Sequence, residues 1–259
     1  MLEVILTEAE RNHNFLKVLV VAVFITLGIS FVNSYLGGIS IFLVAFISLA
    51  LSYPVTKYSR DVSKVISESF LDKSFTKRYK SELGVFLALF VGVVFGMYIS
   101  NTLGFTTDFS YEKSFVTSLE GNITSFNTDL FSQILFNNLF VAFNTFIIST
   151  LFFSALIFVI IWNASILAYY LFSLNSHTGA FVTSLNLIIH ALFEIGGYVL
   201  AGILGAVISY RMSIYFFGYG ELSRTNQKRV LNKVFAKDCL VLLFLCIVFI
   251  FLGSVIEVL

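Results

Sequence analysis

From Ile134 to Ser173 the chain runs through almost unbroken apolar sequence, and no other feature limits its folding as much. A helix crosses a bilayer in about 17–25 residues. This run is too long for one crossing and long enough for two, so a tight turn is predicted near Thr150 to Ser154. Composition points the same way. Only 12% of the 259 residues are charged, against roughly 25% in a soluble domain. With 58% of residues hydrophobic and 17% aromatic, lipid must be the solvent for much of the chain.

Further apolar runs predict helices over 15–36, 39–53, 84–104, 183–210 and 239–257, giving seven crossings with the two above. Gly37-Gly38 makes a tight turn between the first two, and Pro54 stops the second. The expected fold is therefore an all-α polytopic bundle of about seven transmembrane helices in a single integral membrane domain, 1–259. Its parts are a three-helix segment (1–104), an extracytoplasmic loop (105–133) and a helical remainder (134–259). The acidic start, with Glu3, Glu8 and Glu10, has no small-residue cleavage pattern before Gly37. That argues against a cleaved signal peptide, and the first helix is expected to stay.

Thirteen of the sixteen Lys and Arg residues fall in two segments, 54–83 and 211–238, whereas 105–133 holds only Lys113. Positive charge collects on the cytoplasmic side. Seven crossings then place the N-terminus in the cytoplasm and the C-terminus outside. Both basic segments have the apolar spacing of amphipathic helices lying on cytoplasmic headgroups, or of a docking site for a cytoplasmic partner. The outer loop contains Asn122-Ile123-Thr124, an acceptor triplet for N-glycosylation. A net charge of +1 gives no reason to expect nucleic acid. Cys239 and Cys246 are seven apart, too close along one helix to bridge, and read as packing residues.

Polar side chains inside the apolar runs are the candidates for function, since a charged group near a helix centre costs about 3 kcal/mol on insertion scales. His190 and Glu194 lie i, i+4 near the middle of the sixth predicted helix and share a face. Gly197, Ala201 and Gly205 continue that face, with Gly202 beside it, as a small-residue packing surface. Asn137, Asn138 and Asn144 on the fourth helix and Asn163 on the fifth can both donate and accept, so they are natural partners for the His–Glu pair.

Three readings fit this polar core: hydrogen-bonded glue fixing helix register, a transport or proton-responsive site, or a metal site. The last is short of ligands, because His190 and Glu194 lack a third His, Cys or carboxylate in the membrane. No cofactor is expected. No HExxH, nucleophile elbow or Walker-type loop occurs, and the chain is not expected to be an enzyme.

Phe136-Asn137-Asn138-Leu139, Ile161-Trp162-Asn163-Ala164-Ser165, His190-Ala191-Leu192-Phe193-Glu194 and Ala201-Gly202-Ile203-Leu204-Gly205 follow one another in an order that resembles the stage II sporulation protein M family. The likeness covers roughly 130–210 and reaches the C-terminal helix with its Glu257. Ala164 and Ala191 stand where the family usually has glycine, and 143–155 lacks the glycines common there. The resemblance implies a membrane scaffold. The family's namesake holds cell-wall hydrolases together during engulfment in spore formers and is not itself a hydrolase. Expected partners are the lipid bilayer, membrane or extracytoplasmic proteins, and a second copy of the chain. The competing expectation is a small transporter, permease or lipid-translocating protein. A wet cavity reaching Glu194 would favour that reading, and a dry, closely packed core would favour the scaffold.

Overall fold

A computed structural model describes residues 15–52, 75–105, 108–110, 112–113, 128–151, 154–174, 181–217 and 225–258. Seven helices longer than ten residues occur among them. They are α1 (Phe15–Tyr35), α2 (Ser40–Ser52), α3 (Phe75–Thr102), α4 (Thr128–Leu151), α5 (Ser154–Leu174), α6 (Phe181–Phe217) and α7 (Thr225–Val258). Six are long and apolar enough to cross a bilayer. The exception is α2, whose described residues extend only about 20 Å. The expected seven crossings are thus six full spans and one shorter helix. The turn expected at 150–154 separates α4 from α5.

Packing partners reveal the direction of each helix. Between α1 and α3, Gly84 meets Phe15, Gly92 meets Leu19 and Ala22, and Gly96 meets Thr26. Residue numbers rise together, so the two helices are parallel and the segment between them must return. α2 makes the first part of that return, burying Leu43, Val44, Ile47 and Leu51 in the core. α4 and α6 are also parallel, since Asn138 reaches Glu194 and Gly205 lies on Phe146 and Ser149. α7 runs antiparallel to α6, with Cys246 and Ile250 on Gly197 and Gly253 on Glu194. The starts of α3 and α7 meet where the Tyr79 hydroxyl donates to Asp238 at 3.0 Å. The start of α1 and the end of α7 therefore lie at opposite ends of the bundle.

The close approach of α1 and α3 requires glycine. A Cβ at Gly92 would stand 2.6 Å from the Leu19 carbonyl oxygen, and one at Gly96 2.6 Å from the Thr26 side chain. The α1–α2 turn needs glycine for a different reason. Gly37 and Gly38 have φ of 100° and 69°, left-handed values that L side chains adopt at a cost. The Gly38 and Leu36 amides both close onto the Asn33 carbonyl at 2.9 Å, ending α1.

The connection after α3 folds back onto this turn. The Asp108 amide donates to Gly38 O at 2.6 Å and the Ser40 amide to Asp108 O at 3.2 Å, making an isolated parallel bridge between Ile39 and Asp108. Glu112, completely buried, then accepts from Ser40 Oγ at 2.7 Å and Ser165 Oγ at 3.0 Å. Part of the predicted outer loop is thus a plug between α2 and α5. Its glycosylation triplet lies outside the described residues.

The basic segments differ from the expectation where they are described. Residues 211–217 continue α6 and 225–238 open α7, so this stretch extends two spans rather than forming a separate surface helix. Most of the first basic segment lies outside the described residues, but 75–83 is the start of α3.

Candidate functional site

At the end of the bundle where α4 begins and α7 ends, a cavity of about 450 Å³ opens between α4, α5, α6 and the last turn of α7. Gln133, Asn137 and Asn138 face it from α4, Trp162 and Asn163 from α5, His190, Glu194 and Tyr198 from α6, and Glu257 from α7. The position differs from the expected mid-helix one. α6 extends to Phe217, and its apolar span is Ile188–Ser209. His190 and Glu194 thus lie in the first half of the 37-residue helix.

α6 sets the spacing. His190, Glu194 and Tyr198 recur every four residues and point to one side. His190 Nε2 lies 3.4 Å from Glu194 Oε2 and 3.6 Å from Glu257 Oε2, and its Nδ1 is 3.1 Å from the Gly253 carbonyl oxygen. Asn138 donates through Nδ2 to Glu194 Oε1, and its Oδ1 accepts from the Tyr198 hydroxyl at 3.0 Å. Both His190 and Glu194 are buried. Asn138 and Tyr198 thus satisfy one another and one oxygen of Glu194, as low dielectric demands.

Gly253 permits this arrangement. A Cβ there would come within 2.9 Å of Glu194 Cγ, so a larger residue would push α7, and Glu257 with it, off the site.

The asparagines separate. Asn138 is the one that engages Glu194. Asn137 is exposed on the cavity wall and donates weakly to Asn138 Oδ1 at 3.4 Å. Asn163 lines the cavity, but its amide donates to Val159 O at 2.8 Å in its own helix. Asn144 lies outside the cavity and donates to Phe140 O at 2.9 Å. A short polar side chain can always bond its own helix four residues back, and sequence spacing does not reveal which will.

The small residues are close-packed, though not on one face toward one neighbour. Gly197 lies on Ile250 and the Cys246 carbonyl of α7, Gly202 on Leu156 of α5, and Gly205 on the Phe146 carbonyl of α4. Ala201 is buried among them. Every residue from Glu194 to Val207 is buried, so α6 is enclosed on all sides.

Sequence reasoning missed Tyr198, Gly253 and the role of Glu257. Tyr198 was accessible, being the next step of the His190–Glu194 spacing. Glu257 lay in view as a carboxylate at the end of an apolar run, but only the fold of α7 back along α6 brings it to His190. It is the third ligand-bearing side chain that the sequence had not placed.

The sequence profile described as Stage II sporulation protein M matches residues 85–259. The chain belongs to that family. The match begins in α3, well before the segment on which the motifs were recognised, and takes in every residue of the polar site. Together with six membrane-length apolar helices, membership of the stage II sporulation protein M family makes this a multi-pass membrane protein. Comparisons with curated proteins and with solved structures find no match.

Proposed function

We propose that the chain is a non-enzymatic integral membrane scaffold or assembly protein of the stage II sporulation protein M type. The enclosure of α6 carries this reading. A helix buried from Glu194 to Val207 and in near backbone contact at Gly197 and Gly205 is built to hold its neighbours in fixed register. That suits a rigid body on which other proteins assemble better than a gate that must slide. Lys80, Lys233 and Lys237 are exposed at the end where α3 and α7 begin, and this end faces the cytoplasm in our reading. Partners are membrane or extracytoplasmic proteins, or a second copy of the chain.

The test is reciprocal tagging and crosslinking in native membranes. The same membrane or wall-associated protein should be recovered from either tag. It should also be recovered with Glu194→Gln, which keeps the shape of the core. Recovery of nothing reproducible from either direction rejects the scaffold.

One observation favours a second reading, a small transporter or permease: the cavity reaches Glu194. Against it, α6 beyond Tyr198 is packed through Val207. Flux into proteoliposomes that disappears in a folded Glu194→Gln variant would establish transport. Flux indifferent to Glu194 would discard it.

A further inference from the structure

We propose that His190, Glu194 and Glu257 form a binding site for one divalent transition-metal cation of the zinc or manganese type. The proposal stands apart from the scaffold reading, because the geometry of the side chains carries it.

The separations come first. Donors bound about 2.0–2.2 Å from a zinc-like centre lie roughly 3.0–3.6 Å from one another, as tetrahedral or octahedral angles require. His190 Nε2 is 3.4 Å from Glu194 Oε2 and 3.6 Å from Glu257 Oε2. One ligand atom from each of the three residues falls within 4.8 Å of the others. The two distances from Nε2 are long for direct hydrogen bonds and fit donors that share one centre.

The tautomer comes next. A carbonyl oxygen only accepts, so the 3.1 Å contact with Gly253 O puts a proton on His190 Nδ1. In the neutral ring Nε2 then presents its lone pair to two carboxylates. A positive centre between them would satisfy all three groups at once. Metal-bound histidines are held in this way, with the far ring nitrogen donating to a carbonyl or carboxylate.

Charge balance and support complete the case. Among the described residues no Lys or Arg lines the cavity, so two carboxylates stand in low dielectric without a fixed countercharge from them. A divalent cation cancels them in full, while a proton on His190 cancels one. Glu194 Oε1 is engaged by Asn138, itself held by Tyr198 at 3.0 Å, which leaves Oε2 aimed at the site. Such outer partners orient metal ligands. The cavity beside the three donors leaves room for water or a further ligand to complete the coordination. One imidazole with two carboxylates suits zinc or manganese better than a soft copper(I) ion.

The full chain, purified in detergent and stripped with chelator, would be loaded with zinc alone or manganese alone. Expected is one ion per chain for at least one of the metals, with an X-ray absorption shell of nitrogen and oxygen and no sulfur. His190→Ala and Glu257→Gln should each weaken binding at least about tenfold, and Tyr198→Phe about tenfold or more through its hold on Asn138. Asn144→Ala, away from the cavity, should bind as the parent does. Melting of each stripped variant establishes folding, and Glu257→Gln and Tyr198→Phe change too little to unfold the bundle. Substoichiometric binding of both metals, a sulfur-containing shell from Cys239 or Cys246, or unchanged affinity in Glu257→Gln would overturn the proposal in favour of a protonated His190 between two carboxylates.

Discussion

Ser165 on α5 donates a 3.0 Å hydrogen bond to Glu112, a carboxylate 53 positions earlier in the connection between α3 and α4. Ser40 at the start of α2 donates to its other oxygen at 2.7 Å. One buried acid thus ties three parts of the chain. Glu112→Ala should cost about 2–4 kcal/mol, since hydrogen bonds to charged groups contribute roughly 1.5–3 each. Glu112→Gln keeps one acceptor and should cost less. Thermal unfolding in detergent measures both, and equal melting of Glu112→Ala and parent would refute the tie.

Gly205 and Ile203 test the packing of α6. A Cβ at 205 would stand 2.6 Å from the Phe146 carbonyl oxygen, which is backbone and cannot swing away. Gly205→Leu should lower stability by about 2 kcal/mol or more, within or above the usual overpacking range. Ile203 is also buried, but Ile203→Leu conserves volume and should cost less than about 1.5 kcal/mol. Equal losses at the two positions would mean that close backbone approach is not what holds α6.

Glu194 separates shape from charge. Glu194→Gln retains an oxygen to accept from Asn138, so the bundle should fold and melt near the parent. Glu194→Leu leaves the Asn138 amide without its acceptor and should destabilise by about 1–3 kcal/mol. The comparison is read by melting in detergent, with Tyr198→Phe as a companion. A leucine variant as stable as the glutamine variant would show that the hydrogen bond contributes nothing.

Topology is tested by labelling. Cysteines placed at Ser118, between α3 and α4, and at Ser223, between α6 and α7, should react from opposite sides of the membrane. The alternation of helix directions requires it, because these connections join opposite ends of the bundle. Labelling from one side would break the proposed order of crossings.

The helices were legible because hydrocarbon imposes a length and a composition on whatever crosses it. The turn within 134–173 followed from that length alone. What the sequence concealed were contacts between distant segments. Nothing local marks Glu112 as buried rather than facing water, since its partners are 72 and 53 residues away. The same holds at the polar site. Periodicity along α6 aligned His190 with Glu194 and would have added Tyr198. The choice of Asn138 over Asn144, and the arrival of Glu257, depended on how α4 and α7 lie against α6. Where helices have small residues on several sides, as α6 does at 197, 202 and 205, one-dimensional spacing cannot assign each to its neighbour.

The parallel course of α4 and α6, with α7 returning between their ends, also sets an order in time. Synthesis delivers α4 first, then α6, then α7. Glu194 can therefore meet the amide of Asn138 as soon as α6 enters the bilayer, while Glu257 has yet to be made. Asn138 is thus a partner for Glu194 on a helix made before α6. His190 gains its carbonyl and its second carboxylate from α7, so the site cannot close before that helix is in place.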